Sequence, residues 1–217
     1  MTIIAKTSSN NPDEKIITQA AHIIINGGLV SFPTETVYGL GADALNPEAV
    51  KHIYEAKMRP ADKALIIHVS SIAQAEELVF MNDIAKKLAC KFWPGPLTLI
   101  LPAKSHIPSI TRGGHETAAV RMPANIIATE LIRMSKPIAA PSANLSGRPS
   151  PVDAESVIAD MSGRIDMIID GGICKAGIES TVLDVSNPER IIILRPGMIS
   201  REELEKFLGL RIFMTEN

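Results

Sequence analysis

The stretch Ser31–Gly41 reads SFPTETVYGLG, and it follows a short apolar run, Leu29-Val30, that is typical of the end of a buried strand. Within five residues it holds three hydroxyl side chains and one carboxylate, those of Thr34, Thr36, Tyr38 and Glu35. A loop that only has to turn favours Asn, Asp, Gly or Ser. Open α/β sheets place ligands at strand ends. The stretch therefore predicts the anchor of a small-molecule site, and the alternative is a β-bulge with exposed threonines.

Glycine and proline punctuate the same stretch. Pro33 fixes one backbone angle, whereas Gly39 and Gly41 permit conformations that residues with a β-carbon avoid.

Composition indicates an ordinary globular protein. The 217 residues fit one large domain, alone or with a small appendage, and carry 46% apolar residues, 21% charged residues and a net charge of −2. This balance lacks the positive excess of a non-specific nucleic-acid binder. Cys90 and Cys174 lie far apart and favour neither a metal cluster nor a disulfide framework. No signal peptide or long apolar run is visible, so we expect a cytoplasmic protein without membrane contact.

Predicted helices and strands alternate along the chain, which favours an α/β fold on a mixed sheet. Asn11-Pro12-Asp13-Glu14 is expected to begin the first helix, with Asn11 as its cap. Further helices are expected to begin at Asn46, Ser70-Ser71, Asn82, Asn125, Asp153 and Arg201. Strands are expected over 29–32, 64–69, 97–101, 118–122, 137–140, 166–169, 181–185 and 190–194, the last two as an antiparallel hairpin. Loops at one edge of this sheet would line one cleft.

Two cations flank Met58 at the expected end of the second helix. Past that end, Lys57 and Arg59 could both point at one anion, since Arg offers a fork for phosphate and Lys a point charge. Lys63 and His68 follow nearby. The alternative is that the cations only complement the helix dipole.

A second polar group ends a later strand. In Pro141-Ser142-Ala143-Asn144, a period of two places Ser142 and Asn144 on one side of an extended segment. They suit phosphate, ribose or amino-acid groups, and an ST- or Asx-turn is the alternative.

Arg121 lies inside an apolar strand, where arginine requires a partner. A carboxylate ligand or an internal acid, Glu35 or Glu179, would satisfy it equally well. Ser180 and Arg195 add a hydroxyl at a strand start and a cation at a strand end. The chain lacks a phosphate loop, a dinucleotide fingerprint, a metal-ligand spacing and a nucleophile paired with a base. Such a site suits adenylyl or phosphoryl transfer by positioning and charge stabilisation.

Six stretches resemble the YrdC/Sua5 family in order and spacing, from about Asn10 to Ile199. They are PTETVYGLG, KMRP, AVRMP, PSANLSGRPSP, ESTVLD and ILRPG. The resemblance implies a catalytic domain over 10–199, followed by a short C-terminal helix or tail over 200–217, as in the short form without an extra C-terminal domain. It also implies a twisted mixed parallel and antiparallel sheet with flanking helices and a concave, positive cleft.

The implied activity is synthesis of L-threonylcarbamoyladenylate from L-threonine, bicarbonate and ATP, with Mg²⁺ and with release of pyrophosphate. The product feeds the t6A37 modification of tRNA, so tRNA or tRNA-modification proteins are implied downstream partners. A paralogue without efficient synthesis, or an RNA-binding module using the positive face, is the alternative.

The resemblance also assigns residues, and no side chain is assigned to a metal. The catalytic set is Lys57, Arg59, Ser142 and Asn144. The L-threonine set is Thr36, His68, Arg121, Ala140 and Ser180. The ATP set is Arg59, Lys63, Thr117, Ser142, Ser150 and Arg195. Many relatives carry Asn-Pro where this chain has Lys63-Ala64, so an asparagine contact there is in doubt.

Overall fold

The computed structural model describes residues 1–215, which form eleven strands and seven helices. The strands are β1 (Ile3–Lys6), β2 (Val30–Phe32), β3 (Gly39–Asp43), β4 (Ile66–His68), β5 (Leu97–Pro102), β6 (Thr117–Arg121), β7 (Ile138–Ala139), β8 (Met167–Asp170), β9 (Thr181–Asp184), β10 (Ile192–Arg195) and β11 (Phe213–Met214). The helices are α1 (Glu14–Ile25), α2 (Pro47–Lys57), α3 (Ile72–Leu78), α4 (Asp83–Phe92), α5 (Ile126–Met134), α6 (Ala154–Met161) and α7 (Arg201–Leu208).

All these strands belong to one mixed sheet, which confirms the predicted fold class. Their order is β1-β8-β2-β3-β7-β4-β6-β5-β9-β10-β11. The sheet contains parallel pairs, such as β4 with β6 and β5 with β9, and antiparallel pairs, such as β5 with β6. The predicted hairpin is also confirmed, because β9 and β10 pair antiparallel.

Successive residues of the strands point to opposite faces of the sheet and belong to two separate hydrophobic cores. On one face, α1 and α5 pack on β2 and β8 through residues such as Ile24, Leu131 and Phe32. On the other face, the remaining helices share a larger core with residues such as Ile67 and Val120.

In the part of the sheet formed by β4, β6, β5 and β9, only one face packs against a hydrophobic core. Along β4, β6, β5 and β9 the core-facing residues alternate with Ile66, Ala119, Ile100 and Val182, whose side chains line a cavity instead. We call these four residues the cavity floor.

Most predicted helix starts are confirmed, because their side chains accept backbone N–H groups of the first turn. Asn46, Ser71, Asn82, Asn125 and Asp153 all cap helices in this way. The prediction for the first helix was wrong by two residues. Its cap is Asp13, which accepts from the backbone N–H of Lys15, so Asn11 and Pro12 precede the helix.

Gly39 and Gly41 both lie in β3, a strand absent from the sequence-based prediction, and neither has a positive φ. Gly41 is required by close packing. A Cβ there would lie 2.6 Å from Ile138 Cγ2 and 2.7 Å from Phe32 Cε1. β1 and β11 were also missed; they pair at the two ends of the sheet.

The helices of residues 1–215 are all too short or too polar to cross a lipid bilayer.

Candidate functional site

A cavity of about 260 Å³ lies over the cavity floor. Its walls come from the β2–β3 loop, from Arg59, from Pro141-Ser142 and from Glu179-Ser180. Strand residues His68, Arg121 and Arg195 also line the cavity. The sequence placed the site at strand ends, but the cavity extends across the face of the sheet.

The β2–β3 loop is part of the interior. Thr34 is 3% exposed and Thr36 is fully buried, so the alternative of a bulge with exposed threonines was wrong. Thr34 Oγ1 donates to the Val37 carbonyl at 2.7 Å and lies 2.8 Å from Thr36 Oγ1. Tyr38 donates its hydroxyl to the Gly172 carbonyl at 2.7 Å, and burial raises the pKa of this tyrosine. The loop is therefore fixed by internal hydrogen bonds.

Arg121 is held on three sides. Its Nε donates to the Gly95 carbonyl at 3.2 Å and its Nη1 to Thr36 Oγ1 at 3.1 Å. Its Nη2 lies 2.7 Å from Glu35 Oε1, while Glu35 Oε2 accepts the backbone N–H of Ala124 at 3.1 Å. The sequence left open whether Arg121 pairs with a carboxylate ligand or with an internal acid. The structure shows an internal acid, Glu35.

The Arg121–Glu35 contact is a Coulombic pair without hydrogen-bond alignment. Both Nη2 and Oε1 are buried, yet neither atom has a hydrogen bond of acceptable geometry. Arg121 lines the cavity, so it keeps N–H capacity for an anionic ligand.

His68 pairs in register with Arg121 across β4 and β6. Its ring meets the Phe32 ring edge-on at 6.4 Å, and its Nδ1 is buried without a hydrogen-bond partner. Burial, and then the charge of Arg121, lower the pKa of His68 to about 3. The imidazole is consequently neutral at pH 7 and offers a hydrogen-bonding group without adding charge.

Lys57 and Arg59 do not point at one site. Met58 between them is left-handed, with φ 52° and ψ 44°, and this turns the chain at the end of α2. Arg59 lines the cavity, and its buried Nε has no hydrogen-bond partner. Lys57 Nζ donates instead to the Ser142 carbonyl, to the Asn144 carbonyl at 2.6 Å and to Asn144 Oδ1 at 3.4 Å. Burial, and then the charge of Arg59, lower the pKa of Lys57 to about 8.

Ser142 and Asn144, which were expected on one side of an extended segment, lie in different places: Ser142 lines the cavity and Asn144 does not. Ser142 lines the cavity, next to Ala140 and Pro141. Asn144 is buried behind it, where its Nδ2 donates to the carbonyls of Leu145 at 3.0 Å and Arg148 at 2.7 Å. Asn144 and Lys57 together fix the segment that presents Ser142.

Glu179 joins Arg195, which lines the cavity, to Ser150 outside it. Its Oε2 lies 2.6 Å from Arg195 Nη1, and its Oε1 accepts the Ser150 hydroxyl at 2.8 Å. Arg195 also donates to the carbonyl and hydroxyl oxygens of Ser180, both at 3.0 Å from Nη2, and Ser180 Oγ lies 2.8 Å from Thr98 Oγ1. Burial is the main cause that lowers the pKa of Arg195.

Eight of the thirteen residues that the family resemblance assigned to the site line the cavity. They are Thr36, Arg59, His68, Arg121, Ala140, Ser142, Ser180 and Arg195. Lys57, Lys63, Thr117, Asn144 and Ser150 lie outside its lining. The cavity floor was not predicted from the sequence. Because successive side chains of a strand point to opposite faces, every second residue of a strand such as β6 must face away from the core, and this could have indicated the floor.

The lining is positively charged and poor in metal ligands. Its three arginines outnumber the two carboxylates that pair with them, since Glu35 pairs with Arg121 and Glu179 with Arg195, while Arg59 has no such pair in the described residues. Among the described residues, no three His, Cys, Asp or Glu side chains converge on a common point. The cavity therefore suits an anionic ligand better than a free cation.

A sequence model of the Sua5_yciO_yrdC family, which carries the description "Telomere recombination", matches residues 22–197. A Pyrococcus abyssi protein named threonylcarbamoyl-AMP synthase is 52% identical over 211 residues, which cover 96% of this chain and 62% of that protein. A Bacillus subtilis protein of the same name is 52% identical over 206 residues, which cover 93% of this chain and 58% of that protein. The chain thus spans about three-fifths of the length of these relatives.

A solved structure agrees with these matches. The crystal structure of P. abyssi Sua5 complexed with L-threonine superposes with a TM-score of 0.95 at 51% identity, covering 99% of this chain and 63% of that one.

Proposed function

Because the chain belongs to the Sua5/YciO/YrdC family, we propose that it synthesises L-threonylcarbamoyladenylate from L-threonine, bicarbonate and ATP. The observation that carries the proposal is the grouping of arginine and hydroxyl side chains around one cavity. Arg121, paired with Glu35, lies beside the buried hydroxyl of Thr36, whereas Arg59, Ser142 and Arg195 line other walls. The names of the relatives and the L-threonine complex of a similar protein support the same reaction.

The amino-acid end consists of Arg121 and its neighbours. Arg121 would bind the carboxylate of L-threonine through the N–H groups that its protein partners leave free. Thr36, neutral His68, Ala140 and Ser180 would surround the rest of the amino acid.

The nucleotide end consists of Arg59, Ser142 and Arg195, which reach the cavity directly. Lys57 and Asn144 act through the Ser142 segment, and Ser150 acts through Glu179. Outside the cavity lining, Lys63 and Thr117 remain proposed contacts to outer parts of ATP.

The reaction needs positioning and charge stabilisation more than a protein nucleophile. The amine of L-threonine and bicarbonate give a carbamate with loss of water. A carbamate oxygen then forms a bond to the α-phosphorus of ATP as the bond to the pyrophosphate oxygen breaks, and Arg59 stabilises the charge on the departing group. No covalent enzyme intermediate is expected.

Mg²⁺ is proposed to arrive with ATP. The carboxylate that lines the cavity is already paired with Arg195, so the described side chains do not fit a resident magnesium site. Mg²⁺ usually keeps several waters and binds through substrate phosphates, where it neutralises their charge.

The decisive experiment incubates the protein with ATP, Mg²⁺, bicarbonate and labelled L-threonine, and detects threonylcarbamoyl-AMP and pyrophosphate. Arg59→Ala should lower the rate by about 100-fold or more, as expected when charge stabilisation of the transition state is lost. Arg164→Ala, at an exposed residue, is the matched control. Folded wild-type protein that makes no adenylate would refute the proposal.

The wider setting is also proposed. The adenylate would feed the t6A37 modification of tRNA, with tRNA or tRNA-modification proteins as downstream partners. The free thiols of Cys90 and Cys174 are compatible with a reducing cytoplasm. Salt-dependent RNA binding without ATP and L-threonine, together with no adenylate formation, would favour the RNA-binding alternative.

A further inference from the structure

Glu179 lines the cavity, and both of its carboxylate oxygens have protein partners. Oε2 lies 2.6 Å from Arg195 Nη1, and Oε1 accepts the Ser150 hydroxyl at 2.8 Å. A carboxylate offers about four acceptor positions on its two oxygens, so these contacts leave about half of them open. The side chain is 36% exposed, which makes the open positions accessible. Towards a ligand, Glu179 therefore offers negative charge and hydrogen-bond acceptors.

The guanidinium of Arg195 is oriented by Ser180 as well as by Glu179. Its Nε and Nη2 donate to the Ser180 carbonyl at 3.2 and 3.0 Å, and Nη2 also donates to Ser180 Oγ at 3.0 Å. Because these bonds already fix the plane of the guanidinium, the main effect of Glu179 at Nη1 is to offset its positive charge. A phosphate that approached Nη1 would also meet the negative charge of Glu179.

Arg59 lines the same cavity without such a counter-charge. It has no acidic partner within the described residues, and its buried Nε has no hydrogen-bond partner. A guanidinium whose charge is not offset attracts a polyphosphate more strongly than one that has a carboxylate at 2.6 Å. The two arginines of the nucleotide end therefore differ in the net charge around them.

We propose that Glu179 is a specificity-determining residue that sets the direction in which ATP lies in the cavity. The inference rests on the proposed function. The triphosphate lies towards Arg59, and the nucleoside lies against Arg195 and Glu179. Glu179 accepts a hydrogen bond from a nucleoside donor, which is a ribose hydroxyl or the adenine amino group. The reverse direction would place phosphate oxygens against the carboxylate.

The first test compares Glu179→Gln with the wild type by calorimetric titration, without L-threonine so that no adenylate forms. The ligands are ATP with Mg²⁺ and inorganic tripolyphosphate. Glutamine keeps the size of the side chain and removes its charge, so the charge of Arg195 becomes available to an anion. We expect tripolyphosphate to bind about fivefold more tightly. Glu189→Gln removes the same charge at an exposed residue outside the cavity lining and should leave this affinity at the wild-type value.

Three analogues of ATP identify the donor: 2′-deoxy-ATP, 3′-deoxy-ATP and purine riboside triphosphate, which lacks the amino group. The wild type should bind one of them about tenfold more weakly than ATP, the effect of losing a hydrogen bond to a charged group. In Glu179→Gln this preference should shrink to about threefold or less. Ser150→Ala keeps the carboxylate and its pair with Arg195, so the preference should persist in that variant.

Either of two results would overturn the inference: tripolyphosphate binding that does not strengthen in Glu179→Gln, or an analogue preference that does not shrink. A variant that merely distorts the cavity would weaken ATP and its analogues by the same factor, which is the second of these results. If Glu179→Gln loses ATP binding altogether, the tripolyphosphate titration decides. Failure of the wild type to bind ATP would instead refute the proposed function.

Discussion

Arg121 Nη2 and Glu35 Oε1 lie 2.7 Å apart at a site where the arginine side chain is 4% exposed and the glutamate side chain 19%. The second oxygen of Glu35 accepts the Ala124 N–H, so the carboxylate joins the β2–β3 loop to the segment after β6. An unpaired guanidinium at this depth is costly, because desolvation is no longer offset by an opposite charge. Glu35 therefore offsets the buried charge of Arg121 and orients its guanidinium.

Glu35→Gln should lower the free energy of unfolding by about 3 kcal/mol, because it leaves a buried charge without its counter-ion. Urea unfolding at pH 7 measures this change. Glu77→Gln, at an exposed position of α3, is the control and should change stability by less than about 0.5 kcal/mol. Equal effects of the two substitutions would show that the pair contributes nothing.

His68 makes the fold sensitive to acid. Its pKa is about 3 in the folded protein and 6.5 in the unfolded chain, so between these values the unfolded state binds a proton that the folded state does not. The contribution of neutral His68 to the free energy of unfolding is complete above pH 6.5 and declines as the pH falls towards 3. The stability of the wild type relative to His68→Gln should therefore fall across this window, as measured by urea unfolding at several pH values. His52→Gln, on the exposed side of α2, is the control for the loss of an imidazole.

Substitution of Lys57 should lower both protein stability and ATP affinity, whereas substitution of Arg59 should lower ATP affinity alone. Lys57→Met leaves the carbonyls of Ser142 and Asn144 without their donor, at a cost of about 2 kcal/mol in stability, and ATP affinity falls because the Ser142 segment shifts. Arg59→Met should reduce ATP affinity with little change in stability, since its Nε has no protein partner to lose. Thermal unfolding and ATP titration on both variants make the comparison. If both variants keep full stability, Lys57 does not fix the segment.

Met58 carries local backbone strain. It is the one residue other than glycine with a positive φ within residues 1–215. The left-handed conformation costs a residue with a β-carbon about 1 kcal/mol, so Met58→Gly should stabilise the protein by about that amount. Met58→Ala keeps the β-carbon and should leave the midpoint of thermal unfolding close to the wild-type value. No gain in the glycine variant would mean that the side chain of Met58 offsets the strain.

Local chemistry explains which parts of the fold were predictable. Asn46 and Asn82 cap helices by bonds to N–H groups two or three residues away, so the sequence alone indicates those helix starts. β3 was missed because its sequence, GLGAD, has low strand propensity, and its pairing with β2 and β7 makes it a strand.

The same reasoning applies to the site. Arg121 in an apolar strand required a partner, and Glu35 was one of two candidate acids in the chain. The sequence did not show where the Lys57 side chain points, because the carbonyl groups that accept its hydrogen bonds lie 85 and 87 residues further along the chain. Only the folded sheet brings them together.

The cavity floor and the core occupy alternate positions along the same strands. Ala119 and Val182 face the ligand space, while their chain neighbours Val120 and Leu183 are fully buried in the core. A substitution at the first pair changes the volume offered to a substrate and leaves the packing of the second pair intact. Substitution at these alternate strand positions should therefore change the shape of the cavity while the neighbouring core residues keep their contacts.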